Sequence, residues 1–267
     1  MKLTRFIDPA GRELLGHDRG NGQAELLAGN PFTGLSLTGE TASIAQRLAP
    51  VLPVNIFCIG KNYAEHARET GAKPPERPIV FMKPTTAVTD PDKPILIPHV
   101  CQETPEVDYE AELAVVIGRA ARDVPEERAL DYVLGYTVAN DVSARKWQIE
   151  RGGSQWIRGK AFDTFCPLGP VLVTADELAD PQRLRVRTTL NGQVMQDGHT
   201  SDMIFPVARL IAFLSQDTTL LAGTVILTGT PDGVGFTRQP PVFLKDGDEV
   251  VVEVEGIGKL RNVVRRG

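Results

Sequence analysis

Short apolar runs broken by turn residues dominate the chain, and their period is that of strands. Such runs lie at Ile79–Met82, Ile95–Ile97, Glu112–Ile117, Leu134–Asp141, Val171–Thr174, Thr224–Leu227, Glu249–Glu255 and Gly258–Val264. A further pair, Leu184–Leu190 and Gln193–Gln196, flanks Asn191-Gly192, a strong hairpin signal because both turn residues tolerate positive φ. Helical spacing is rarer, predicted over Tyr63–Thr70, Pro125–Val133, Ala144–Arg151 and Phe205–Gln216. Strands and helices do not alternate, which disfavours a doubly wound sheet and points to a β-rich α+β fold. Residues 1–52 read as a small β-rich unit with strands at Lys2–Ile7, Glu13–Gly16 and Ala24–Leu27, a hairpin break at Pro9-Ala10-Gly11 and a short helix over Thr41–Ala49. Pro50 and Pro53 mark a linker, and residues 53–267 form the main domain, opening with the strand in "VNIFCIGKN".

One run has an unusual head. In "VDYEAELAVVIG" the segment Leu113–Ile117 is continuously apolar, the pattern of a strand covered on both faces. Glu110 and Glu112 precede it two residues apart and so share a face. Either the strand end emerges into water, or the pair belongs to a hard-cation site, because two carboxylates side by side resist burial until a cation neutralises them. All-oxygen ligands favour magnesium, manganese or calcium over zinc. "YTVANDVSARKWQ" brings a third carboxylate, Asp141, to the end of another apolar strand, with Ser143 read as the cap of the helix that follows. Asp141 could equally serve as an ordinary turn residue. Lys160, among Gly159, Phe162 and Phe165, is placed either to reach the surface or to pair with buried acids.

In "GKNYAEHARETG" Asn62 reads as a helix cap with Glu65 completing a capping box. His66 and Glu69, three apart on that helix, can pair as a carboxylate-oriented base or lie on the surface as a simple ion pair. "VILTGTPDGVGF" runs from a strand into a glycine-rich loop, a carboxylate-binding turn or an ordinary one, without the spacing of a phosphate loop.

Composition narrows the classes. A formal charge of -5 disfavours a nucleic-acid partner, and no apolar run approaches membrane-spanning length. The amino end is not patterned as a signal peptide. Cys58, Cys101 and Cys166 are scattered and form no CxxC, which suits reduced thiols in a cytoplasmic protein.

Four of these stretches, taken together and in order, resemble the signature blocks of the fumarylacetoacetate hydrolase family: "YEAEL", "NDVSARKWQ", "GKAFDTFCPLGP" and "LTGTPDGVG". The likeness runs from about Val54 to Val264, and "WQIERGGSQWIRGKAFDTFCPLGP" is similar to the branch of fumarylacetoacetate hydrolase domain-containing proteins. The resemblance implies a mixed β-sandwich roll with a small amino-terminal domain, assembled as a homodimer. It implies magnesium, or manganese or calcium in its place, on Glu110, Glu112 and Asp141, and a water-activating dyad of His66 and Glu69. Lys160, Gln148 and Thr230 fall where the family contacts substrate, with Arg145 and Trp147 as supporting residues. The expected reaction is hydrolysis of a C–C bond in an acylpyruvate or related β-diketo acid, a small anionic 2-oxo acid. The alternative on the same site is an oxaloacetate tautomerase or decarboxylase, or a 2-hydroxydienoate isomerase. A metal-stabilised scaffold or sugar-acid binding protein is the non-enzymatic alternative, and an oriented base argues against it.

Overall fold

The computed structural model describes residues 1–153 and 155–267. Its main feature is a 12-stranded sheet whose centre is the strand Ala111–Ile117, paired antiparallel with Val133–Asn140 on one side and Val225–Leu227 on the other. Beyond the second neighbour come Ile56–Gly60, parallel to it, and Ile79–Lys83. Beyond Val133–Asn140 comes Cys166–Thr174, and there the amino-terminal strands join: Lys2 and Leu3 pair with Val173 and Leu172. A 5-stranded sheet, centred on Glu249–Val254, packs against this one. The β-rich α+β expectation is met.

The central strand is buried at every position, for the reason its continuous apolar run predicts. Ala111, Leu113, Val115 and Ile117 face one core, shared with Val252, Val254 and Leu260 of the second sheet. Ala114 and Val116 face the other, with Ile56, Cys58, Leu168 and Leu172. The helix Val207–Leu214 seats Val207, Leu210, Ile211 and Leu214 in the first core, the i, i+3, i+4, i+7 stripe of an amphipathic helix.

Local signals failed where long-range pairing competed. Thr41–Ala49 is not a helix: Gly34–Ser43 is a strand paired with Gln23–Asn30, and Gln46–Leu48 pairs with Lys2–Ile7. An open sheet edge offered those residues a ladder, and tertiary pairing overrode a weak helical preference. Asn62 does not cap the helix Ala64–Glu69, which starts from Tyr63 with no side-chain cap. Its amide instead ties together Phe205 and the Thr228 carbonyl, 2.7 Å away. Ser143 does not cap either; it lies in a two-residue bridge opposite Asp108, and its hydroxyl donates to the Asp141 carbonyl. The Pro125–Val133 helix is a 3-10 segment, Glu126–Tyr132, and that over Ala144–Arg151 shrinks to Arg145–Ile149.

Candidate active site

The antiparallel register places Ala111 opposite Asn140 and Glu112 opposite Ala139, so the head of one core strand lies beside the tail of the other. Glu112 is in phase with Ala114 and Val116. The Asn140 side chain accepts from the Glu110 backbone N–H, and the Asp141 N–H donates to the Glu110 carbonyl. Glu110, Glu112 and Asp141 are thereby gathered with one carboxylate oxygen each within 4.8 Å of one another, all three buried. The emerging-strand reading of Glu110 and Glu112 is corrected by that burial.

Cations surround the cluster unevenly. Lys160 Nζ sits 2.8 Å from both Glu110 Oε2 and Asp141 Oδ2. Lys83 Nζ holds the other Asp141 oxygen at 2.7 Å and donates to the Val142 and Lys160 carbonyls. Arg145 reaches Glu110 Oε1 at 2.6 Å with one nitrogen and Asp108 Oδ2 at 2.8 Å with two others, while stacking on Phe236. Burial alone would raise the Glu110 pKa, but Lys160 and Arg145 outweigh it and hold the carboxyl below its ordinary range. Burial likewise opposes the charge on Lys160, and Asp141 and Glu110 overcome it, raising its pKa.

Glu112 is the exception. Among the described residues it has no lysine or arginine partner, and its side chain accepts only from the Gly229 N–H, at 2.6 Å. Burial, with Asp141 and Glu110 beside it, pushes its pKa well above the ordinary 4.5. Four buried carboxylates, counting Asp108, thus face three buried cations. An oxygen-only donor set that lacks one positive charge fits a hard divalent ion.

This arrangement makes a prediction for the metal-free protein. Glu112→Gln keeps an acceptor for the Gly229 N–H and removes the uncompensated charge, so it should melt higher than the parent in chelator, by about 2–4 °C per kcal/mol relieved. The sign follows from linkage: a carboxyl whose folded pKa is raised stabilises fully below its unfolded value and loses that contribution as pH rises through the folded value. The advantage of the variant should therefore grow as pH rises above the ordinary carboxylate range. The parent should gain about 2.7 kcal/mol from a divalent ion at a hundred times its Kd, and the variant far less. Equal melting points in chelator above that range would refute the uncompensated charge.

His66 and Glu69 do pair, Nδ1 to Oε1 at 2.7 Å, with His66 buried. The other Glu69 oxygen accepts from the Gly233 N–H and the Thr237 hydroxyl, both at 3.0 Å. Burial works against the Glu69 charge, but His66 and the Gly233 N–H prevail and keep its pKa low, so the carboxylate stays ionised at neutral pH. A carboxylate only accepts, so Nδ1 donates to Glu69, and in the neutral ring the second nitrogen is the acceptor. His66, Glu110, Glu112, Arg145, Gln148, Lys160 and Thr230 border one cavity of about 360 Å³, closed on its apolar side by Phe81, Ile149 and Trp156. The Thr230 hydroxyl accepts from Gln196, and Gln148 Oε1 accepts from Arg145; each side chain therefore keeps a donor for a ligand.

The glycine-rich loop binds carboxylates, but they are the protein's own. Gly229 takes Glu112, Gly233 takes Glu69, and the N–H groups of Gly235 and Phe236 take Asp108. Gly233 has φ +95°, and a Cβ on Gly235 would lie 1.9 Å from the Val242 carbonyl oxygen, so neither position admits a side chain.

Sequence reasoning missed Lys83, Asp108 and Gln196. Asp108 was the nearest to being found, since it continues the alternation of Glu110 and Glu112. Lys83 ends a strand just before Pro84 and carries no local mark. Trp147 stays outside the cluster and packs edge-on against Phe162. The three cysteines are free and buried.

Comparison with known proteins agrees with the geometry. The model of the fumarylacetoacetate hydrolase C-terminal family matches residues 55–265. Oxaloacetate tautomerase FAHD2A, mitochondrial, of Homo sapiens is 49% identical over 218 residues, 81% of this chain and 68% of that protein. Its Xenopus laevis counterpart is 50% identical, over 81% and 67%. Among solved structures, a 5-carboxymethyl-2-hydroxymuconate delta-isomerase from Mycobacterium smegmatis is 43% identical with TM-score 0.87, covering 100% of both chains. A fumarylacetoacetate hydrolase from Exiguobacterium antarcticum is 37% identical, also with TM-score 0.87 and full coverage of both. The family model spans most of the chain and the relatives are about half identical over 81% of it, so the chain belongs to the fumarylacetoacetate hydrolase family.

Proposed function

We propose that this chain is a magnesium-dependent tautomerase of a 2-oxo acid of the oxaloacetate type. One observation carries the reading: an imidazole oriented by a carboxylate borders the same cavity as Glu110 and Glu112, two members of the three-carboxylate cluster. The tautomerase relatives, about half identical to this chain, favour proton transfer over the C–C hydrolysis expected from the dyad alone. The substrate named for the M. smegmatis isomerase also carries a 2-hydroxy acid head and further carboxylates.

Glu110, Glu112 and Asp141 would hold magnesium, or manganese or calcium, which when bound supplies Lewis acidity for the 2-oxo acid head. His66 takes the C3 proton on its second nitrogen, and Glu69 stabilises the imidazolium that results. The C3–H electron pair moves into the C2–C3 bond, the keto π pair goes to oxygen, and that oxygen takes a proton from water to give the enol while the imidazolium returns its proton to solvent. The reverse sequence converts enol to keto. Lys160, with a third N–H donor beyond its two carboxylates, adds positive charge where the oxygen becomes anionic. Thr230 and Gln148 supply the neutral donors for the substrate carboxylate.

The intact dyad supports a second reading, in which His66 activates water against an acylpyruvate. NMR in deuterium oxide separates the two. With magnesium, oxaloacetate should exchange its C3 protons above the blank, fall to the blank in chelator, and acetylpyruvate should survive. Pyruvate and acetate from acetylpyruvate, with no oxaloacetate exchange above the blank, would replace tautomerisation by hydrolysis. Buried free thiols suit a reducing compartment, whether cytoplasm or the mitochondria named for the tautomerases. Among the described residues no helix is long and apolar enough to cross a membrane. The homodimer implied by the family is directly readable by light scattering.

A further inference from the structure

Three cations with long side chains border the cavity, and two of them are already neutralised. Lys160 and Arg145 are committed to Glu110, Asp141 and Asp108. The third, Lys61, has no carboxylate partner among the described residues, and its ammonium lies 6.0 Å from the centre of the Trp156 ring on the cavity wall. Its backbone sits in the left-handed region at φ 55°, where a side chain with a Cβ costs free energy that glycine would avoid. The turn follows Gly60, whose missing Cβ makes room for the indole; a Cβ there would lie 2.3 Å from Trp156. The Lys61–Trp156 corner is thus a built wall of the cavity, partly buried and lined by an aromatic face.

A cation left without a counter-charge on the wall of a partly enclosed cavity attracts an anion from solution. The acid cluster and His66 process the 2-oxo acid head, so an anion at Lys61 belongs to the far end of the same molecule. The cavity of about 360 Å³ has room for such a chain. We propose that Lys61 reads the distal carboxylate and restricts the enzyme to 2-oxo dicarboxylates. This deepens the tautomerase reading and rests on it for the identity of the head group.

The test compares oxaloacetate with its 4-ethyl ester, which keeps the 2-oxo acid head and the acidic C3 protons but has no distal charge. Exchange at C3 is followed on the magnesium-loaded parent, Lys61→Gln and Lys61→Arg. In Lys61→Gln, kcat/KM for oxaloacetate should fall about tenfold, chiefly through KM, with the ester unchanged, as expected for one partly exposed charged hydrogen bond. Lys61→Arg should keep most of the preference. A parallel loss on both compounds would make Lys61 a support for the turn or for Trp156, and no loss on either would remove it from recognition; both overturn the proposal. If the parent exchanges neither compound, the tautomerase reading fails, and calorimetric binding of the same pair then decides Lys61. Preferential binding of the diacid that disappears in Lys61→Gln sustains it, and equal binding overturns it.

Discussion

Asp141→Asn should end magnesium binding and lower turnover by about 10²–10³-fold or more, judged from the cost of losing single groups that hold a metal or meet developing charge. Asp141 stands out because both its oxygens are engaged: Lys83 at 2.7 Å on one and Lys160 at 2.8 Å on the other. It also closes the carboxylate cluster opposite Glu110 and Glu112. Removing its charge therefore strips the third carboxylate from the cluster and leaves Lys83 without its carboxylate and Lys160 with Glu110 alone. Breaking a buried pair by deleting one partner costs about 3–5 kcal/mol, so the variant should melt roughly 6–20 °C below the parent. Circular dichroism would confirm that it is folded, and thermal melts with added magnesium would read binding. A variant that keeps the parent's magnesium-induced shift would remove Asp141 from the metal site.

The second large effect is expected from His66→Ala. Losing a positioned base should lower C3 exchange about 10²–10⁴-fold, while the magnesium-induced rise in melting temperature persists, because the carboxylate cluster does not include the imidazole. Free imidazole should restore part of the exchange in this variant, since the deletion leaves space bordering the cavity. Glu69→Gln should cost less, because the ring keeps one hydrogen bond but loses the charge that stabilises imidazolium. Exchange at the parent's rate in His66→Ala would leave the tautomerase without its base. A simultaneous loss of the magnesium shift would instead assign His66 a part in the metal site.

Much of this site is legible in the sequence. The phase of Glu110 and Glu112 against a fully apolar strand identified a carboxylate pair, and the second apolar strand ending at Asp141 supplied the third. The spacing of His66 and Glu69 allowed a dyad or a surface ion pair, and the family resemblance pointed to the dyad. What could not be read was how those groups are balanced. Lys83 reaches Asp141 across 58 positions of chain, and its local sequence carries no sign of that contact. The glycine-rich loop could be read as a carboxylate-binding turn or an ordinary one, and the carboxylates it holds proved to be Glu112, Glu69 and Asp108. Asn62 and Ser143 looked like caps because capping is the local use of those residues, and each was drawn into a longer-range hydrogen bond or bridge.

By itself the sequence determined what backbone stereochemistry enforces over a few residues: period-two burial, the Asn191-Gly192 hairpin, and which side chains share a face. It determined the family as well, because four chemistry-bearing blocks recur in one order. The tertiary structure alone decided register and charge partners. Sliding one strand by a single residue would turn Glu112 to the opposite face, and only packing of two cores on either side of that strand selects the register observed. Electrostatic pairing then follows from proximity in space rather than along the chain. That is why Glu112 lacks a cation among the described residues and Lys61 lacks an anion, and neither fact is visible in the order of residues.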